Sequence, residues 1–196
     1  AVFRTLYVKF YSHLVRRVRK EVKGWRQIAF QTYNEPFFCD DAKPQVSKWR
    51  SVEKRVINSI RKQIPTSTIF TGAVCTNGDF FFKDDSYNQS PRVRIDQVMS
   101  PYKQFKNLIY TIHFRQPRVF VFQSMNHADV KGLKYPMNRT NVSSILKTAD
   151  YSKSNLEDYR DNGWNRAVLF DAIRQAADWI TKHGVGLHIT EFGTTR

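Results

Sequence analysis

Segments with the periodicity of β-strands alternate with helical segments along most of this 196-residue chain. Strands are predicted at residues 27–36, 68–74, 107–113 and 186–193, and helices at residues 3–23, 47–63 and 164–183. Repeated strand–helix alternation favours a parallel sheet with right-handed crossovers, because each helix returns the chain to the edge where the next strand begins. The sequence therefore predicts an α/β fold, formed as one domain over residues 1–196.

Two long stretches between these elements carry no regular pattern. Residues 76–100 are rich in turn-forming and polar residues and are predicted to form a loop. Residues 114–163 are longer than most structureless loops, which indicates a functional insertion or short helices that the pattern does not reveal. On the helix that follows, the face predicted to point to the core consists of Ala167, Phe170, Ile173, Ala177 and Ile180.

The chain is strongly basic, with a net charge of +15 and a pI near 10.0. This charge favours an anionic partner such as nucleic acid, an acidic polysaccharide or a membrane surface, although a solvated cationic face has the same composition. Nucleic acid is not expected, since no DNA- or RNA-binding motif is present. The sequence has no apolar run of about 18 residues, so no membrane span is expected.

The sequence also lacks the common metal and cofactor motifs. It has no Cys-x-x-Cys, no His-Glu-x-x-His and no glycine-rich phosphate loop, so neither a metal nor a cofactor is expected. The two cysteines, Cys39 and Cys75, each follow a predicted strand, and two free thiols are expected in preference to a disulfide.

Two of the predicted strands end in a glutamate. The first closes at Asn34-Glu35-Pro36, where the proline stops ladder pairing, and the last closes at Glu191. Because the carboxyl ends of parallel strands meet at one edge of a sheet, both carboxylates are expected at the same edge. Strand alternation places Glu35 on the face of Tyr33. It also places Glu191 on the face of Ile189.

A pair of carboxylates at one edge can divide acid and base chemistry between them. At a separation of about 5 to 5.5 Å they suit a retaining glycosidase, in which one attacks the anomeric carbon and the other protonates the leaving oxygen and then activates water. The alternative from spacing alone is two surface glutamates at the starts of loops.

Several motifs follow the order of a known family. They are Asn34-Glu35-Pro36, Ile69-Phe70-Thr71-Gly72, Ile112-His113-Phe114, Ala176-Ala177-Asp178-Trp179 and Thr190-Glu191-Phe192-Gly193. Together they resemble glycoside hydrolase family 5, the cellulase family, over nearly the whole chain. Members are (β/α)8 barrels that hydrolyse β-1,4-glucans and related polysaccharides with retention. The resemblance therefore implies a partial TIM barrel that supplies the fourth to the seventh strands.

The resemblance also implies roles for five residues. Glu35 would be the acid/base and Glu191 the nucleophile. Asn34 would hydrogen-bond the sugar 2-hydroxyl, His113 would line the site and polarise the dyad, and Gln123 would bind substrate. The implied activity is endo-β-1,4-glucanase-like, on a β-glucan or related polysaccharide, with a secreted or periplasmic location. Without the resemblance, His113 is interpreted as a partly buried, hydrogen-bonded histidine.

Three positions depart from the family pattern. Arg115 stands where the family has a tyrosine that touches the nucleophile, Cys75 where it has a tryptophan, and Phe122 where it has the histidine of a His-Gln pair. Four of the eight barrel strands are also missing from the match. A half-barrel exposes unpaired strand edges, so either missing barrel strands or a second copy of the chain is expected to cover them.

The half-barrel leaves two alternatives open. A site with half of its walls is wetter, which predicts weak activity for this chain alone. It is then either a hydrolase of low activity or a catalytically inactive remnant that still binds glycan. The third interpretation is a basic domain whose cationic helix, His13 to Arg26, binds an anionic polymer.

Overall fold

The computed structural model describes residues 2–36, 39–40, 43–72, 99–125 and 127–193. The helices are α1 (Val2–Glu21), α2 (Val46–Arg61), α3 (Arg118–Val121), α4 (Arg139–Leu146), α5 (Lys153–Asp161) and α6 (Arg166–His183). The strands are β1 (Phe30–Gln31), β2 (Cys39–Asp40), β3 (Lys43–Pro44), β4 (Ile69–Gly72), β5 (Leu108–Phe114) and β6 (Gly186–Phe192). The predicted loop at residues 76–100 lies almost entirely outside the described residues, as do Cys75 and the side chain of Cys39.

The main sheet is parallel throughout, which confirms the predicted fold class. In the described part of the chain its strand order is β1–β4–β5–β6, and β1 and β6 each pair on one side only. A separate antiparallel pair joins β2 and β3. The described helices include none long and apolar enough to cross a membrane.

The first strand is shorter than the sequence predicted. Gly24 takes a positive φ of 74° and starts a short 3-10 helix at Trp25–Gln27, so the ladder begins only at Phe30. Beyond the strand, the Thr32 amide still donates to a β4 carbonyl at 2.9 Å, but the Thr32 carbonyl accepts a hydrogen bond from the Tyr7 hydroxyl of α1. A side chain of α1 therefore takes the place of a neighbouring strand as the hydrogen-bond donor to the Thr32 carbonyl, and the strand ends early.

The hydrophobic core lies on the face of the sheet that the helices cover. On α2 a stripe of apolar residues at helical spacing is fully buried: Trp49, Val52, Val56, Ile57 and Ile60. The region at residues 114–163 contains three short helices, α3 to α5, which form a cluster of their own. That cluster consists of Val119, Val130, Leu133, Val142, Leu156, Tyr159 and Trp164.

The predicted inner face of α6 was wrong. The helix buries Ala172, Ala176 and Trp179, whereas Phe170 and Ile173 are exposed. Apolar residues lie on two adjacent faces of this helix, and the small alanines allow it to approach the sheet closely while Trp179 packs edge-on against an aromatic ring of β5. Periodicity alone did not identify which face meets the sheet.

Candidate active site

Glu35 lies in a tight turn that follows β1. It takes a positive φ of 48°, which is unfavourable for a residue with a side chain. Such conformations persist where the surroundings fix them, and they concentrate at functional sites. Gly72 of β4 lies directly beside the turn, since a Cβ at that position would be in ordinary contact with it, 3.8 Å from Pro36 Cδ and 3.9 Å from the Tyr33 carbonyl oxygen.

A β-bulge brings Glu191 to the same edge of the sheet. The β5–β6 ladder is regular up to Ile112 opposite Ile189, and the register then skips Thr190, so that His113 lies opposite Glu191. A bulge redirects the side chains that follow it, because two residues of one strand face one residue of the other. Here the bulge places the Glu191 carboxylate beside His113.

The faces predicted from strict alternation were wrong for both glutamates. Ile189 packs with Ile112 in the core under α6, whereas Glu191 contacts His113, the residue that alternates with Ile112 on β5. Tyr33 packs against a tryptophan of α2, with 5.8 Å between ring centroids, and does not share a face with the first glutamate. Both carboxylates reach one edge through irregular backbone.

His113 lies between the two carboxylates. Its Nδ1 is 2.8 Å from Glu35 Oε1, and its Nε2 is 3.3 Å from Glu191 Oε1. One carboxylate oxygen from each glutamate and one imidazole nitrogen lie within 4.8 Å of one another. The His113 side chain is only 3% exposed, against 29% for Glu35 and 41% for Glu191. The imidazole therefore forms the floor under two carboxylates that are open to solvent.

Arg115 joins the same cluster from just beyond the end of β5. Its Nη2 is 2.5 Å from Glu35 Oε1 and 3.0 Å from His113 Nδ1, and its Nη1 is 3.2 Å from Glu191 Oε2. A guanidinium stays protonated in proteins, so Arg115 brings a fixed positive charge to the dyad. Sequence analysis identified Arg115 only as a departure from the family pattern. Its spacing of two residues from His113 was a signal that the two share a face.

The other two predicted site residues lie in different surroundings. Asn34 directly precedes Glu35 and is exposed. Gln123 is bonded to backbone: its Nε2 donates to the Phe120 carbonyl at 3.1 Å, and its Oε1 accepts from the Leu133 amide at 2.8 Å. This pairing gives Gln123 a role in holding the loop after α3, and substrate binding by Gln123 stays a prediction.

An open cleft of about 430 Å³ borders Glu191 and Arg115. Its walls include Arg115, Phe122, Thr190, Glu191 and Phe192. Two of these are aromatic, and the Phe192 side chain is 78% exposed. The exposed ring of Phe192 and the half-buried ring of Phe122 give the cleft an apolar surface beside the Glu191 carboxylate.

The same cluster has the donor types of a metal site, namely two carboxylates and an imidazole. However, Arg115 already places its guanidinium against both carboxylates. A divalent cation would have to displace that charge. The arrangement therefore fits a dyad neutralised by arginine better than a metal centre.

A further glutamate, Glu53 of α2, is buried behind β1, and sequence analysis did not identify it. Thr32 Oγ1 donates to Glu53 Oε1 at 2.6 Å, and the Tyr102 hydroxyl donates to Glu53 Oε2 at 2.8 Å. Burial raises the pKa of Glu53 to about 7, although these hydrogen bonds act in the opposite direction. A signal was present, because Glu53 falls four residues from both Trp49 and Ile57 on the buried stripe.

Comparison with known families agrees with this geometry. The profile of the cellulase family, glycosyl hydrolase family 5, matches residues 7–196. The chain belongs to this family. A search of curated protein sequences found no match. The profile match confirms the family resemblance that the sequence motifs had indicated.

Solved structures of cellulase family members share the fold. The Clostridial cellulose synthase subunit Z from Clostridioides difficile matches with a TM-score of 0.59 at 18% identity, covering 100% of this chain and 51% of that one. A mutant form of Cel5A from Thermotoga maritima in complex with cellobiose matches with a TM-score of 0.61 at 19% identity, covering 98% and 49%. The chain thus spans about half the length of the structures it matches, which confirms a partial (β/α)8 barrel.

Proposed function

We propose that this chain carries the catalytic dyad of a retaining β-glycoside hydrolase that cleaves a β-1,4-glucan or a related polysaccharide. The observation that supports this most strongly is the separation of the carboxylates: oxygens of Glu35 and Glu191 lie within 4.8 Å. Retaining enzymes hold their two carboxyl groups about 5 to 5.5 Å apart, whereas inverting enzymes need about 6.5 to 9.5 Å to admit a water.

In the proposed reaction, Glu191 attacks the anomeric carbon while Glu35 donates a proton to the departing glycosidic oxygen. The C–O bond breaks, and the sugar becomes an ester of Glu191. Glu35 then removes a proton from water, whose oxygen attacks the same carbon and releases Glu191. Asn34, exposed beside Glu35, is assigned to the 2-hydroxyl of the sugar.

His113 can hold the two carboxylates of the proposed dyad in place. With a single ring proton on Nε2, the imidazole donates to Glu191 Oε1 at 3.3 Å. Its Nδ1 is then a lone-pair acceptor that faces Glu35 Oε1 at 2.8 Å and Arg115 Nη2 at 3.0 Å.

The proposal is tested by trapping the ester. Incubation with 2,4-dinitrophenyl 2-deoxy-2-fluoro-β-cellobioside should add one fluorocellobiosyl group to Glu191, as detected by peptide mass spectrometry, because fluorine slows hydrolysis of the intermediate. On an unmodified soluble glucan, proton NMR should detect the β-anomer as the first product. Glu21→Gln, an exposed position on α1, is the matched control and should be labelled like the parent chain.

Three outcomes separate the interpretations. An adduct on another residue, or an α-anomer as the first product, would contradict the assigned mechanism. Protection of the chain against melting by cello-oligosaccharides, without turnover, would favour an inactive glycan-binding remnant. Adduct formation lost in Glu191→Gln would support the hydrolase proposal.

Two apolar surfaces support completion of the barrel by further strands. A groove of about 170 Å³ between α6 and the last two strands is lined by Ile112, Ile173 and Ile189, among others, and α1 leaves Phe3 and Phe10 about half exposed. We propose that further barrel strands cover them and pair with β1 and β6. If a second copy of this chain supplies those strands, light scattering should give the mass of a dimer. The family assignment supports a secreted or periplasmic location.

A further inference from the structure

Exposed positive charge gathers at one edge of the main sheet, where its parallel strands begin. The proposed dyad lies at the opposite edge, where the strands end. Three segments lead into β1, β4 and β5 at the first edge: residues 19–29, 61–68 and 100–107. Their exposed cations include the six residues that we call the basic edge: Arg19, Lys20, Lys23, Arg26, Lys62 and Lys106.

Hydrogen bonds join the three segments into one surface. Ahead of β4, the Ser67 hydroxyl donates to the Ile28 carbonyl ahead of β1 at 3.3 Å. Arg61 donates through Nη2 to the Lys106 carbonyl ahead of β5 at 2.7 Å, and through Nη1 to the Ser67 carbonyl. The cations of the basic edge therefore come from neighbouring segments and not from separate parts of the molecule.

Little negative charge offsets the basic edge. In the sequence of these three segments Glu21 is the single acidic residue, and its carboxylate already lies 2.8 Å from Arg17 Nη2. The helix dipole favours cations in the last turn of a helix, which accounts for those at the end of α1. It does not account for Lys23 and Lys106, which lie outside the helices. The edge thus carries a surplus of positive charge that a polyanion would neutralise.

The aromatic and apolar side chains of this edge favour one class of polyanion. The guanidinium carbons of Arg19 and Arg26 lie 5.3 and 4.6 Å from the centroid of the half-buried Trp25 ring. Arginines therefore stack on the ring that a single-stranded nucleic acid would use for its bases. Insertion into a bilayer needs exposed apolar side chains beside the cations, but among the described residues of these segments only Val22 is large, apolar and exposed. A hydrophilic chain with repeated anions fits this surface better.

We propose that the basic edge binds an acidic polysaccharide, a polymer with carboxylates on its sugar rings. Its lysines and arginines neutralise successive carboxylates, and the two arginines held on Trp25 lose little side-chain freedom when they do so. Barrel strands added beside β1 and β6 would extend the sheet sideways and leave this edge open. Such binding would hold the chain on an acidic matrix while the edge with the dyad stays accessible.

The test titrates polygalacturonate, an α-linked acidic polymer that a β-glycosidase does not cleave, into the full chain by calorimetry. The test variant removes three charges at the basic edge: Lys20→Gln, Lys23→Gln and Lys62→Gln. The control variant removes three exposed charges around α4 and α5: Lys131→Gln, Lys147→Gln and Lys153→Gln. The test variant should weaken binding by at least about tenfold and the control by less than about twofold, although both have the same net charge. Binding by the parent chain should weaken as sodium chloride is raised.

The results separate a defined site from general electrostatic attraction. Absence of binding, or an equal loss in both variants, would overturn the proposal, because the placement of the charges would then have no effect. Tighter binding of a DNA duplex with the same number of charges, or of vesicles that contain phosphatidylserine, would assign the basic edge to another partner and overturn it as well. Glu191→Gln should bind polygalacturonate like the parent chain, so failure of the hydrolase proposal would leave this result unchanged.

Discussion

Two clusters near β1, one with two carboxylates and one with a single carboxylate, are built in opposite ways. Glu35 and Glu191 are partly exposed and contact a guanidinium and an imidazole. Glu53 is buried, and its hydrogen-bond donors are the neutral hydroxyls of Thr32 and Tyr102. In the proposed function the first cluster supplies the two catalytic carboxylates, whereas the second joins α2 to the segment that follows β1.

The difference shows how surroundings decide what a glutamate does. At the open edge, the carboxylates contact the Arg115 guanidinium and solvent, surroundings that suit the negative charge of the proposed nucleophile, Glu191. In the interior, burial favours the neutral acid, so the pKa of Glu53 rises to about 7. Replacement of Glu35 or Glu191 by glutamine should therefore abolish the proposed function of the first cluster. The same change at Glu53 should stabilise the second.

The largest effect is expected from Glu191→Gln and Glu35→Gln. Each should lower hydrolysis of a β-glucan by about 10³-fold or more, because neither amide can attack the anomeric carbon or exchange a proton. The melting temperature should change little, since both side chains are partly exposed. Rates and melting curves measured on the same preparations check the pair of expectations. A variant that loses activity only in proportion to lost folded protein would contradict the assignment.

Glu53→Gln should change the free energy of unfolding, and the change should appear only as pH rises. Folded Glu53 holds its proton with a pKa of about 7, against 4.5 for the ordinary group, so the folded state binds more protons between these values. The contribution of this group is fully present below about pH 4.5 and is lost as pH rises through about 7. At pH 8, Glu53→Gln should therefore be more stable than the parent by on the order of 3 kcal/mol.

Urea unfolding of both chains at pH 5 and pH 8 checks this expectation. The difference between the two chains isolates Glu53, because groups such as His127, whose pKa is lowered by burial, are common to both. Equal stability of the two chains at pH 8 would show that burial does not raise the pKa of Glu53 in the folded state.

Gly72→Val should disturb the turn that separates the two clusters. A Cβ at Gly72 is tolerated at 3.4 Å from Thr111 Oγ1, but the added methyl groups of valine would press on the turn that carries Glu35. Overpacking of this kind costs about 1 to 3 kcal/mol. Gly72→Ala is the control and should retain both activity and stability. Calorimetric melting with rate measurements tests this, and an active, stable Gly72→Val would refute the steric argument.

The smallest effect is expected from Tyr102→Phe. It removes one donor to Glu53, so stability should fall by about 1 kcal/mol and the pKa of Glu53 should rise further. Tyr151→Phe, at an exposed tyrosine, is the matched control and should be neutral. Urea unfolding at pH 6 measures both. If Tyr102→Phe and the parent chain have the same free energy of unfolding, water replaces the lost donor.

Much of the fold followed from the sequence because its signals are local. The α2 stripe from Trp49 to Ile60 repeats at helical spacing, and strand–helix alternation leads to a parallel sheet. The residues predicted to close the strands, Glu35, His113 and Glu191, meet at one edge for the same reason. The inner face of α6 was missed because two adjacent faces are apolar and only the sheet chooses between them.

By itself the sequence determined the parallel architecture and the pair of glutamates at the ends of two strands. Only the tertiary structure decided how their side chains point. Strict alternation would have turned Glu191 towards the helices, and the bulge at Thr190 turns it towards His113 instead. A bulge depends on the pairing of two strands that are far apart in the chain, so no local pattern encodes it. The spacing of Arg115 from His113 places both on one face, but its contacts with both glutamates depend on the tertiary structure.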